Sequence, residues 1–123
     1  VNLYDLIWLA GLLEGEGTFD LQRGKYPRIR LAMTDRDVVG RAATLMGTKV
    51  RLSLRKAPVT STWHAEVQGP RAEALMEALL PYMGSRRSGR IAGILADSRL
   101  RANGKAVVPG PKVTRPPGLP LAA

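Results

Sequence analysis

Between residues 2 and 16 apolar side chains recur around nearly the whole circumference of a helix. Leu6, Leu9, Ala10 and Leu13 form one stripe, and Trp8, Gly11, Leu12 and Gly15 form another. A helix apolar all round is buried on more than one face. Asn2 suits its N-cap, with Asp5 near the positive end of the dipole. The period then drops to two. Thr18 to Arg23 alternates, with Phe19 and Leu21 on one side and Thr18, Asp20 and Gln22 on the other. Gly24-Lys25-Tyr26-Pro27 reads as the turn, and Arg28 to Thr34 sets Ile29, Leu31 and Met33 against Arg28, Arg30 and Ala32. Thr34 or Asp35 caps a helix over 36–46, which Gly47 stops.

The order repeats. Lys49 to Arg55 alternates, with Val50, Leu52 and Leu54 expected inward and Lys49, Arg51, Ser53 and Arg55 outward. A turn around Pro58 leads to Thr62–Gln68, where Trp63, Ala65 and Val67 face the core and Thr62, His64, Glu66 and Gln68 face away. Pro70 opens a third helix, interrupted at Pro81, and a fourth covers about 86–100. Residues 1–100 thus form one domain of α+β class: helix, two strands, helix, two strands, two helices. Hairpins join four strands into an antiparallel sheet, with helices over the aliphatic face and the polar face open. Residues 101–123 read as a basic tail rich in proline and glycine, ordered only by docking.

Charge changes this picture most. Nineteen Lys and Arg oppose ten Asp and Glu, a formal net charge of +9, which favours polyanionic partners. The outward strand positions carry Arg28, Arg30, Lys49, Arg51 and Arg55, and the turns add Arg23, Lys25 and Lys56. With Gln22, Gln68, Thr18 and Thr62 they provide the vocabulary for reading base edges in a DNA major groove. A solvated charged face is the plainer account, but this one leans positive in step with the pleat. No cysteine is present, so cysteine-based zinc and thiol catalysis are excluded, and with His64 the only histidine a histidine-rich metal site or a Ser/His/Asp triad has almost nothing to work with. His64 is divided evenly between a DNA contact and a solvated side chain, and Trp63 is assigned to the core. The apolar run from Leu6 to Leu13 is too short to span a bilayer, and no signal peptide is evident, so no membrane partner and no secretion are expected.

Glu14 and Glu16 sit where a helix dipole disfavours anions, which suggests a compensating cation. A hard ion such as Mg²⁺ would accept the Glu16 carboxylate and the Gly15 carbonyl, and would support phosphodiester hydrolysis. On spacing alone, two solvated glutamates before a glycine turn account for the same residues.

Leu9-Ala10-Gly11-Leu12-Leu13-Glu14-Gly15-Glu16-Gly17 resembles the signature of the LAGLIDADG homing endonucleases, with glutamates where the namesake carries aspartates. The element order over about 3–100 matches as well. The resemblance implies the family's fold, αββαββα with a curved four-stranded antiparallel sheet. It implies a Mg²⁺-dependent DNA endonuclease, with Mn²⁺ or Ca²⁺ as substitutes. It places the metal on Glu16 and the Gly15 carbonyl, and catalytic roles on Glu16, Asp35 and Arg86, leaving Glu14 structural. Val39 stands where some members carry a second basic pocket residue, and Arg36 is a candidate substitute. The DNA-contacting set is Thr18, Asp20, Gln22, Arg23, Lys25, Arg28, Arg30, Lys49, Arg51, Ser53, Arg55, Thr62, His64 and Glu66. Arg86, Arg87 and Arg90 read equally as a solvated helix start facing phosphate.

One copy of the motif implies a homodimer joined through Trp8, Ala10, Gly11 and Gly15, acting on a near-palindromic duplex. The implied setting is the cytoplasm or nucleoid of a prokaryotic, phage or organellar system. Two competitors keep the fold: a DNA-binding protein without cleavage, and an RNA-binding maturase whose partner is intron RNA. A basic structural protein of a ribosome or nucleoid explains the charge but not the acids.

Overall fold

The computed structural model describes residues 1–102. The proposed tail therefore lies outside the described residues, apart from its first two positions, which extend the last helix.

Helix α1 runs Leu3–Glu16, and its N-cap Asn2 accepts the Asp5 amide at 2.8 Å. It leads directly into β1, Gly17–Gln22. A Cβ on Gly17 would stand 2.8 Å from both the carbonyl and Cδ2 of Leu13, so the sharp helix-to-strand corner requires glycine. β2 covers Tyr26–Met33. The β1–β2 turn is tighter than expected, because Tyr26 and Pro27 belong to the strand. Arg23 and Gly24 both take positive φ, the primed geometry that matches strand twist, and Lys25 N–H donates to the Gln22 carbonyl.

Helix α2 is Arg36–Met46, as its pattern predicts, and stops at Gly47 in the left-handed region. β3 is short, Arg51–Ser53, and β4 is Thr62–Gln68. Helix α3, Pro70–Leu79, passes through a 3₁₀ turn at Leu80–Tyr82 before α4, Ser85–Ala102. Strand order is β1-β2-β4-β3, all antiparallel. The described residues form an α+β fold, with four α-helices and one four-stranded antiparallel sheet.

The core lies between the sheet and the helices. Leu6, Leu9 and Leu13 of α1 meet Ile29 and Leu31 of β2, Val39 of α2, Met76 and Leu79 of α3, and Ile91 and Ile94 of α4. Each such side chain contributes about 1.5–3 kcal/mol through burial. Trp63 packs against this core as expected, with the Arg36 guanidinium 4.9 Å from its ring centroid.

Two expectations fail at β3. Leu54, assigned inward, is 80% exposed, and Leu52 is 40% exposed. Ser53 is the last residue with a partner, Thr62 of β4, and among the described residues no strand lies on the other side of β3. Alternation requires a partner to become burial, and here the ladder ends too early. Lys49 and Arg55 accordingly flank the strand rather than lie in it.

Candidate active site and nucleic-acid interface

Register fixes what shares the polar face. Thr18, Arg30 and Glu66 form one row across β1, β2 and β4, and Asp20, Arg28 and Gln68 form the next. Gln22 lies opposite Tyr26, while Ala32, His64 and Arg51 line up toward β3, followed by Thr62 and Ser53. The residues assigned to the polar face that belong to the strands therefore lie on it, whereas Lys49 and Arg55 fall outside β3 and are not placed by register. His64 Nε2 is 2.8 Å from Thr62 Oγ1.

The charges are not distributed as the sequence suggests. Arg28 grips Asp20 through Nε at 2.8 Å and Nη2 at 2.9 Å, and its Nη1 lies 3.5 Å from Glu66. Arg30 donates to the same carboxylate of Asp20 at 2.7 Å. Two cations and two acids thus offset each other at mid-sheet. The Arg28 hydrogen bond, with help from Arg30, holds the Asp20 carboxyl below its ordinary range, against the opposing pull of burial. The Asp20 hydrogen bond raises Arg28 in turn. Arg23, Lys25, Lys49, Arg51, Arg55 and Lys56 stay exposed. Among the described residues none of them forms an ion pair, and they lie toward the two ends of the face.

The tip of α1 is built from both ends of the chain. Glu14 turns inward, where its Oε1 accepts the Gly84 amide at 3.0 Å. Its Oε2 is buried without a hydrogen-bond partner among the described residues. Arg87 donates from Nε to the Glu14 carbonyl at 3.2 Å and from Nη1 to the Gly17 carbonyl at 2.5 Å. Arg90 donates to the Phe19 carbonyl at 3.2 Å. Helix α1 has no basic residue in its last turn, so the cation its dipole calls for arrives from α4. Helix α2 uses the same device, with Arg71 of α3 donating to the Gly47 carbonyl.

This arrangement corrects two readings. Arg87 is not part of a solvated helix start, because it holds the α1–β1 corner, whereas Arg90 is exposed and ties α4 to β1 through the Phe19 carbonyl. An arginine already caps α1, so a helix-end acid does not by itself demand a metal. The sequence signal for Arg87 was its adjacency to Arg86: neighbours on a helix diverge by about 100°, so one faces the body and the other leaves it. Arg86 is exposed.

Glu16 points the other way from Glu14. It is exposed and makes no hydrogen bond or ion pair among the described residues. Side chains take the carbonyls of Glu14 and Gly17 but not that of Gly15. One carboxylate and one carbonyl suit a hard cation but fill only part of its coordination shell. No cluster of three or more His, Cys, Asp or Glu exists among the described residues that could complete it. The donor set therefore fits a shared site, with phosphate, water or a second chain supplying the rest. Asp35 is exposed at the N-cap of α2, makes no capping bond, and borders an open depression with Thr34, Arg36, Asp37, Gly40 and Val50. No hydrogen bond or ion pair joins Asp35 or Arg86 to Glu16 among the described residues.

The second stripe of α1 is open. Tyr4 is 78% and Ile7 45% exposed, Gly11 and Gly15 are exposed, and Trp8 and Leu12 are half-buried. A Cβ built on Gly11 or Gly15 meets nothing within 4 Å. Ala10, assigned to a subunit contact, is 1% exposed inside the chain's own core, because it lies on the stripe with Leu6, Leu9 and Leu13. Tyr4 and Ile7 take its place on the open face, one turn before Trp8 and Gly11. Arg41 covers part of Trp8, at 4.0 Å from its ring. No helix among the described residues is long and apolar enough to cross a membrane.

No protein-family model matches the chain, and no curated protein matches it. Solved structures do. The homing endonuclease I-CvuI, in complex with its target in the presence of Ca, aligns with a TM-score of 0.55 at 15% identity, over 77% of this chain and 68% of its own. The group I intron-encoded homing endonuclease I-CeuI, complexed with DNA, gives 0.57 at 18% identity over 82% of this chain. This chain covers 56% of I-CeuI. The homing endonuclease I-TnaI gives 0.53 at 12% identity, over 80% and 74% of the two chains. The fold is therefore that of the LAGLIDADG homing endonucleases.

Proposed function

We propose that the protein is a site-specific endonuclease that binds double-stranded DNA as a homodimer and cuts both strands by divalent-metal-dependent phosphodiester hydrolysis. The observation that carries this reading is the division of labour at the tip of α1. Glu14 is spent on the fold, while Glu16 and the Gly15 carbonyl are left outward at the edge of a polar sheet with cationic ends. A fold built only for binding would not need an uncommitted acid there, because a carboxylate facing phosphate repels it.

Each element then has a task. The open stripe of Tyr4, Ile7, Gly11 and Gly15 seats a second copy, so that two Glu16 side chains approach each other. Glycines at that contact let the two backbones come close. Mg²⁺, bound by Glu16 and the Gly15 carbonyl, would polarise the scissile phosphate and lower the pKa of bound water. Arg86, exposed beside the motif, offers a positive charge to the same phosphate, and Asp35 orders solvent at the end of β2. The cations at both ends of the sheet hold the DNA backbone, and the face between them lies toward the major groove. An isologous dimer calls for a target with two-fold or near two-fold symmetry.

Selection of cleaved molecules from a randomised DNA library with Mg²⁺ tests the whole reading. It is supported if one near-palindromic family of sites emerges, cut on both strands. Recovery of a single bound sequence without cuts would favour the DNA-binding relative that lacks cleavage.

A further inference from the structure

Resting on that DNA-recognition reading, we propose that Asp20 is a specificity-determining residue: it withdraws Arg28 from base readout and aims Arg30 at a guanine edge. Asp20 lies directly across from Arg28 on neighbouring strands and diagonally from Arg30. Diagonal neighbours are within reach of long side chains, so one carboxylate engages both arginines.

The two arginines are held differently. All three guanidinium nitrogens of Arg28 face carboxylates: Nε and Nη2 face Asp20, and Nη1 faces Glu66. Its side chain is 20% exposed, like that of Asp20. Arg28 therefore acts as a strut between β1 and β4. Arg30 is bound through Nη2 alone and is 47% exposed. Its Nη1 and Nε carry no hydrogen bond among the described residues, and Nη2 keeps the second of its two hydrogens, so one two-donor edge of the guanidinium, Nη1 with Nη2 or Nε with Nη2, remains to match guanine O6 and N7. A free arginine on a sheet samples many rotamers, and each specific contact must offset that loss of freedom. Asp20 reduces that loss in advance by holding one nitrogen of the guanidinium.

Charge supports the same division. Arg28 and Arg30 against Asp20 and Glu66 leave mid-sheet near neutral, while the uncompensated cations lie toward the ends. Non-specific attraction to phosphate belongs to the ends, and discrimination belongs to the middle. Two acids kept within a DNA-facing surface repel phosphate whatever the sequence, a cost that a sharper choice among sequences offsets.

The test compares base preference at each target position for the wild-type full-length chain, Asp20→Asn, Arg30→Met and Arg28→Met. The assay is competition binding against single-base variants of the selected site, without divalent cations so that no cutting occurs. Asp20→Asn is expected to bind non-cognate DNA more tightly and to lose about tenfold or more of its guanine preference at one position. Arg30→Met loses preference at the same position, and Arg28→Met does not abolish it. A selective wild-type chain whose Asp20→Asn profile is unchanged overturns this inference alone, as does loss of the preference in Arg28→Met with Arg30→Met unaffected. A wild-type chain with no sequence preference overturns the recognition reading and this inference with it.

Discussion

Glu14 Oε1 accepts the amide of Gly84 across 70 residues of sequence, and a Cβ on Gly84 would stand 2.2 Å from that oxygen. The contact fastens the tip of α1 to the start of α4 and turns one of the two motif acids away from solvent. Gly84→Ala would push the carboxylate aside and cost the hydrogen bond. The expected loss is about 1–2 kcal/mol, below the usual value for a charged acceptor because Oε2 is already unpaired. Denaturant unfolding of the variant measures it, and an unchanged midpoint would contradict the latch.

Arg86 and Arg87 should separate cleanly. Arg87→Met removes two charge-assisted bonds to backbone carbonyls and should destabilise by about 2–4 kcal/mol. Arg86 is exposed and makes no hydrogen bond or ion pair among the described residues, so Arg86→Met should stay within about 0.5 kcal/mol of wild type while slowing cleavage. Equal stability losses in the two variants would refute this assignment.

Some of this was legible in the chain. The limits of α2 follow from Asp35 before it, Gly47 after it and a clean helical period between, and each is a local signal. The motif glycine Gly17 is legible for a similar reason, since the corner it makes involves only its own neighbours. The grip of Arg28 on Asp20 was hidden by a misplaced turn: setting the hairpin bend at 24–27 instead of around Arg23 and Gly24 shifts the register and separates the pair. The burial of Leu54 was overestimated because alternation reports a pleat and not the presence of a partner. Arg87 could not be told from Arg86 or Arg90 without knowing which side of α4 meets α1.

The Asp20 cluster makes stability depend on pH with a defined sign. The carboxyl titrates lower in the folded chain than its ordinary 3.8, held down first by the Arg28 hydrogen bond. Its contribution is therefore fully present above that ordinary value and is lost as pH falls through the depressed folded value. Asp20→Asn should flatten acid unfolding in that window and leave its neutral-pH side unchanged in slope. Unfolding curves from pH 7 downward, with the same acid slope in both proteins, would show that the ion pairs add nothing.

Gly11→Leu should act in opposite directions on the monomer and the dimer. Within the chain the new side chain meets open space, and leucine improves a helix interior by about 0.8 kcal/mol over glycine. At a contact between two α1 helices it keeps the backbones apart, so the dimer dissociation constant should rise about tenfold or more, equivalent to about 1.4 kcal/mol. Analytical ultracentrifugation beside thermal unfolding reads both effects. An unchanged dimer would move the interface elsewhere.

The central claim rests on Glu16, the acid left outward when Glu14 turns in. Glu16→Gln keeps shape and hydrogen-bonding reach but removes the charge that would hold a divalent cation. The decisive measurement is cleavage of the selected site by wild type and Glu16→Gln in Mg²⁺, with binding followed in parallel. The account predicts that the variant binds as tightly as wild type or somewhat more tightly, and that cutting falls by about a thousandfold or more, a barrier increase of about 4 kcal/mol. Cutting at the wild-type rate by Glu16→Gln would contradict it.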